Sequence, residues 1–177
     1  MPVLGTRTLK RYRADPVAFI TEVLRNPETG QPFELLDAEI EFLRHALRTG
    51  PNGRLLYPML IYAAIKKSGK TVFGALFMIT VIVLYGERYA EGYCVANDLE
   101  QAQSRVFEMC RRIIEASPLL KSEAKIGADK ITFLATGAII TALASDYASV
   151  AGGHPTISIF DELWGYTSER SRRLWKQ

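Results

Sequence analysis

The stretch Tyr62–Val72, "YAAIKKSGKTV", decides how the chain is read. It closes on Gly69-Lys70-Thr71, the tail of the phosphate-binding pattern G-x-x-x-x-G-K-[ST], yet Ala64 stands where that pattern has its first glycine, and Lys66 and Lys67 fill the middle. A phosphate loop needs backbone N–H groups turned inward, a helix N-terminus aimed at the anion, a lysine for the outer phosphates and a hydroxyl for the metal. The run Lys66 to Thr71 supplies each: Gly69 permits close approach, Lys70 reaches the β and γ phosphates, and Thr71 is the Mg²⁺ ligand. Lys67, Ser68, Gly69, Lys70 and Thr71 are thus the candidate nucleotide contacts, with the Lys67 side chain itself read as solvated. A bare "GKT" recurs by chance, so its surroundings carry the weight. An apolar run of strand length, Leu55 to Ile65, precedes it, and an apolar helix begins near Lys70.

That helix contains Val72 to Tyr85, "VFGALFMITVIVLY", which is 14 residues long. A bilayer span takes roughly 20 such residues, so this run reads as a buried core helix and the chain as having no membrane role. Upstream, Asp15-Pro16 starts a helix that runs to Leu24, and a second spans about Asp37 to Leu47 with Ile40, Leu43 and Leu47 on one face. Residues 1–53 therefore read as a helical, peripheral segment and 54–177 as the core. Downstream, Tyr93 to Ala96 reads as a buried strand, and Asp98 as the N-cap of a helix from Leu99 to Ala116 that stops at Ser117-Pro118. Ile131 to Ala135 and Ala138 to Leu143 flank Thr136-Gly137 as a hairpin, and Thr156 to Phe160 is a short β-branched strand. Strands alternating with helices predict a three-layer α/β domain with a mostly parallel sheet.

A nucleotide site of this kind needs an acidic residue at the end of another parallel strand, and Asp161-Glu162 follows Phe160 at that place. Asp161 is the candidate Mg²⁺ ligand, and Glu162 the carboxylate that orients or deprotonates an attacking water. Loop and acidic strand together, in this order, point to hydrolysis of ATP rather than binding alone.

The altered loop, with Lys66 three places before Gly69, resembles the deviant phosphate loop of the large terminase subunit of tailed bacteriophages. The likeness extends to "YCVANDLEQAQSRVFEMCRRIIEASPLL", Tyr93 to Leu120, including Gln101-Ala102. It also takes in "ITFLATGAIITALASDYASVAGGHPTISIFDELWGY", Ile131 to Tyr166, and "PFELLDAEIEFL", Pro32 to Leu43. The resemblance implies a P-loop ATPase motor that uses ATP and Mg to drive double-stranded DNA into a procapsid. Its implied partners are the portal protein, the small terminase subunit and further copies of itself in a ring, in the cytoplasm of a host bacterium. It makes Lys66 a cation acting in cis on the γ phosphate, although the family more often has arginine there. It also places Ala38 and Glu39 where the family commonly has a Trp-Gln pair that reads adenine. A carboxylate at Glu39 accepts from the adenine amine but cannot donate to the ring nitrogen, so weak base selectivity is expected. The family continues past its acidic strand into a coupling strand and a nuclease domain, whereas 15 residues follow Glu162 in this sequence. The expectation is an ATPase core cut short after that strand, weakly active by itself. A helicase-like translocase and a non-catalytic nucleotide-binding or assembly module are the competing readings.

Composition is consistent with one globular domain: 177 residues, 48% apolar and 23% charged, with a net charge of +3 that leans only mildly toward polyanions. Cys94, Cys110, His45 and His154 lack zinc-site spacing. Trp164, Trp175, Arg170, Arg172 and Arg173 read as an amphipathic helix with a solvated basic face, base stacking or an arginine finger being the alternative.

Overall fold

The computed structural model describes residues 4–96, 103–144 and 155–161. Three helices open the chain: α1 (Thr6–Ala14), α2 (Pro16–Val23) and α3 (Asp37–Ala46). Helix α2 begins as its sequence dictates, with Pro16 in the first turn and the Asp15 carboxylate accepting from the Ala18 N–H at 3.3 Å. Helix α1 is short and rich in basic residues, with Arg7, Lys10, Arg11 and Arg13. It buries Tyr12, whose ring meets Phe19 of α2 edge-on at 5.7 Å.

The apolar run after the loop is helical throughout: α4 (Lys70–Thr80) passes into a π-helical turn, Val81–Tyr85. No helix among the described residues is long and apolar enough to cross a membrane. Strand β1 (Glu91–Ala96) follows. The next described element is a second π-helical turn, Gln103–Phe107, continuing into α5 (Glu108–Ala116). The cap at Asp98 and the pair Gln101-Ala102 lie outside the described residues. Ser117-Pro118 ends α5 as expected, and the buried Ser117 hydroxyl donates to the Ile113 carbonyl while accepting from the Arg25 N–H, tying this helix end to the segment after α2.

After the short α6 (Pro118–Lys121) come β2 (Ala124–Ile126), β3 (Lys130–Phe133), β4 (Ile139–Ala144) and β5 (Ile157–Phe160). They join β1 in one mixed sheet of order β2-β3-β4-β1-β5. The parallel part is β4-β1-β5, with Tyr93 opposite Thr141 on one side and Ser158 on the other. The antiparallel part is β2-β3-β4, with the expected hairpin turning at Gly137, whose φ of 70° suits glycine. The α/β architecture is thus as read from the sequence.

Helix α4 lies close on this sheet because β1 has Gly92 beneath it; a Cβ there would sit 2.6 Å from the Met78 sulfur. One apolar core includes Phe19, Leu43, Leu76, Ile79, Ile113 and Ile140, so the N-terminal helices and the sheet share it.

One expectation fails. Leu55 to Ile65 is not a strand; apart from an isolated bridge between Thr49 and Leu55 it has no ladder, and Leu56, Met59, Ile61 and Ile65 are exposed. A strand persists only when its N–H and C=O groups find a neighbouring ladder. Here β5 has β1 on one side and no strand on the other among the described residues. Pro58, in the middle of the run, also lacks the N–H that a central strand donates.

Candidate nucleotide-binding site

The turn Lys66–Gly69 delivers the chain from the extended segment into α4. Two of its residues have left-handed backbones: Lys67 with φ 66° and Gly69 with φ 81°. Such residues between right-handed neighbours turn successive N–H groups to one side, the geometry that makes an anion-binding concavity. Gly69 is the N-cap of α4, its carbonyl accepting the first helical bond from the Phe73 N–H at 2.9 Å. The amides of Lys70, Thr71 and Val72 have no carbonyl one turn back within the helix and so remain available to a ligand.

The Lys70 ammonium folds back over the loop and donates to the carbonyls of Ala64 and Ile65, each at 2.9 Å. Ala64, in the place of a glycine, therefore takes part through its carbonyl rather than its side chain. The Ser68 hydroxyl oxygen is buried and has no hydrogen-bond partner among the described residues. A buried hydroxyl left unsatisfied costs about 1–3 kcal/mol, and a phosphate oxygen seated in the loop would remove that cost. Lys66, Lys67 and Lys70 crowd three positive charges at the positive end of α4, whose first turn holds no acidic residue. An anion in the loop relieves both the mutual repulsion and the conflict with the helix dipole.

Asp161 closes the site from the sheet. It stands at the end of β5, its N–H donating to the Val95 carbonyl, and its Oδ2 lies 3.5 Å from the Thr71 hydroxyl. Two ligands on neighbouring corners of a Mg²⁺ octahedron are about 2.9 Å apart, so this pair fits a shared Mg²⁺ after a small closing movement, with water filling the other positions. Glu162 lies outside the described residues, as do His154, Trp164, Arg170, Arg172, Arg173 and Trp175. Lys66 and Lys67 are exposed and make no ion pair or hydrogen bond among the described residues.

Glu39 has a role within its own helix: at the third position of α3 its Oε2 accepts from the Leu36 N–H at 2.9 Å. It still lies near the loop. Phe42, on the same face of α3 one turn later, meets Tyr62 at 5.1 Å and Phe73 at 5.7 Å, and Tyr62 packs on Phe73 at 4.5 Å. Burial first, and the Glu39 charge second, push the Tyr62 phenol above its ordinary pKa. Aromatic contacts thus tie α3, the approach to the loop and the first turn of α4 into one unit. The left-handed Lys67 and the orphaned Ser68 hydroxyl escaped the sequence reading, because neither residue type advertises such a role.

A model of the family "Terminase large subunit, ATPase domain" matches residues 55–176. The chain belongs to that family. Among solved structures, the large terminase of bacteriophage HK97 matches 81% of this chain with a TM-score of 0.68 at 23% identity, a likeness of fold. The match covers 29% of the HK97 chain, so this terminase ATPase chain spans under a third of that protein's length. No curated protein matches it. The expected α/β terminase fold is therefore in hand, while the loop, the Thr71–Asp161 pair and the aromatic unit around Tyr62 are features of this chain's own geometry.

Proposed function

We propose that this terminase ATPase domain binds Mg-ATP in the loop Lys66–Thr71 and hydrolyses it as part of a motor that moves double-stranded DNA into a procapsid. The observation that carries the reading is the approach of Thr71 to Asp161, which brings a hydroxyl and a carboxylate together beside the left-handed turn at Lys67 and Gly69. Bound Mg²⁺ would neutralise charge that develops on the β and γ phosphates. The backbone of Lys67, Ser68 and Gly69 cradles phosphate, and the Lys70 ammonium exchanges its hold on the Ala64 and Ile65 carbonyls for phosphate oxygens. Thr71 and Asp161 are the residues that would hold the metal. Glu162, one residue beyond Asp161, orients and deprotonates the attacking water, and Lys66 places a point charge on the γ phosphate without the two-pronged fork of an arginine. Glu39, engaged with Leu36, reads the base weakly.

In this reading the chain acts in a host bacterium's cytoplasm as one member of a ring, with the portal protein and the small terminase subunit as partners. A group supplied by a neighbouring subunit contributes about 10³ to 10⁵ in rate in P-loop enzymes, so the 177-residue chain alone is slow. Single-turnover hydrolysis of Mg-ATP by the isolated chain is expected well below about 1 s⁻¹. Glu162→Gln lowers it further without weakening binding. Hydrolysis by Glu162→Gln at the wild-type rate removes Glu162 from the mechanism, and fast turnover by the monomer removes the dependence on a group from a neighbouring subunit.

A further inference from the structure

A cavity of about 560 Å³ opens at the far end of α4 from the phosphate loop, lined by Arg13, Asp15, Pro16, Arg44, Arg48 and Thr49 among others. Its distance from the loop follows from the helix between them: the 16 residues from Lys70 to Tyr85 rise about 24 Å at helical pitch. The walls are held in place. The Arg13 Nε donates to the Leu84 carbonyl at the end of the π-helical turn, and the Tyr85 hydroxyl lies 3.3 Å from both the Arg13 and Leu47 carbonyl oxygens, joining the end of α1 to the end of α3.

Three guanidinium groups line this cavity against a single carboxylate, and that carboxylate is committed to capping α2. Arg44, in the last turn of α3, and Arg48, four residues on and just past the helix, are exposed, and their side chains make no ion pair or hydrogen bond among the described residues. Two exposed guanidinium groups at this spacing repel each other weakly, and an anion held between them offsets that repulsion. Three arginines outside the cavity are paired, Arg11 with Glu22 and Arg111 and Arg112 with Glu108. The lining includes no aromatic ring on which a base could stack, and Ala14, Pro16 and Leu47 supply its apolar part. Guanidinium forks in an open, base-blind hollow match phosphodiester oxygens rather than a whole nucleotide.

We propose that Arg13, Arg44 and Arg48 form a docking pocket for the phosphate backbone of a nucleic acid, separate from the ATP site. The choice of duplex DNA as the ligand rests on the packaging reading. The pocket positions the strand without reading its sequence.

The test is binding of a short fluorescent DNA duplex to the 177-residue chain by anisotropy, across a salt series. Each lost phosphate contact makes the slope of log K against log salt shallower by about 0.9, so Arg44→Ala with Arg48→Ala flattens it by about 1.8. The wild-type advantage over the double variant is then about twelvefold larger near 50 mM salt than near 200 mM. The single variant Arg44→Gln shows about half the change in slope. A charge-matched control, Arg112→Ala with Lys125→Ala, leaves the slope unaltered. Equal flattening by pocket and control variants, or no binding of duplex by the wild type, overturns the proposal. Thermal protection by Mg-ATP, measured on the same samples, separates the two sites: protection kept while the duplex fails to bind refutes the pocket alone, and protection lost in the wild type refutes the ATP site.

Discussion

Replacing Gly69 by alanine isolates the backbone requirement of the loop. Gly69 sits at φ 81° as the N-cap of α4, and a Cβ built on it meets no atom within 4 Å, so packing contributes nothing to the cost. What remains is the left-handed conformation, which disfavours a residue with a Cβ by about 1–2 kcal/mol. For a chain of this size each kcal/mol lowers Tm by about 2–4 °C, giving a fall of about 2–8 °C for Gly69→Ala. A second effect is separate. If the loop relieves the strain by moving position 69 to negative φ, the inward row of amides opens, and protection by Mg-ATP falls by more than the change in unliganded Tm accounts for. Differential scanning fluorimetry with and without Mg-ATP reads both quantities. An unchanged Tm together with undiminished protection would refute the claim that the left-handed turn forms the phosphate cradle.

The other left-handed residue gives the complementary experiment. Lys67→Gly should stabilise the free protein by several tenths to about 1 kcal/mol, because it relieves the same backbone conflict, and calorimetric affinity for Mg-ATP should hold; a marked loss of affinity would mean that the Lys67 side chain, not its backbone, binds phosphate. On α5, hydrogen bonds from Arg111, outweighing the opposing effect of burial, and then from Arg112, draw the Glu108 carboxyl down to about 2. A depressed carboxylate stabilises the fold above its unfolded value and loses that contribution as pH falls from about 4.5 to about 2. Allowing for solvent screening the effect is about 1 kcal/mol. Glu108→Gln should flatten acid denaturation in that window, and an identical acid limb for both proteins would contradict the pairing.

How much of this was legible in the sequence follows from where each determinant lies. Gly69-Lys70-Thr71 and Asp161 could be read because phosphate and metal chemistry demands those residue types at strand and helix ends. The α/β fold was recognisable from the alternation of strands and helices around these positions. The segment Leu55–Ile65 misled because apolar composition of strand length says nothing about a partner strand, and Pro58 was the overlooked warning. Strand β2 is three residues, "AKI", and exists through its ladder with β3 rather than through any pattern of its own. Helix α1 carries four charged residues among its nine, and it is placed by the contact of Tyr12 with Phe19, a tertiary contact that the local sequence does not specify. Glu39 shows a different limit. Its position in α3 was read correctly, but the bond to the Leu36 N–H that occupies its carboxylate is a feature of the helix start. A lysine in the left-handed region and an unsatisfied serine hydroxyl leave no trace in composition or spacing. Both arise only from the folded backbone of the loop.

The central claim is that the loop ending in Lys70 and Thr71 binds Mg-ATP against Asp161. Lys70→Ala removes two hydrogen bonds to the Ala64 and Ile65 carbonyls as well as the phosphate-facing charge, so the free variant is expected to be somewhat less stable. The decisive quantity is therefore the rise in Tm that saturating Mg-ATP produces in each protein, since a ligand that binds only the folded state stabilises by RT ln(1 + [L]/Kd). At a free concentration about a hundredfold above Kd the wild type gains about 2.7 kcal/mol, and Lys70→Ala, with its affinity collapsed, gains little. Equal rises in Tm for the wild type and Lys70→Ala would contradict the assignment of this loop as the nucleotide site.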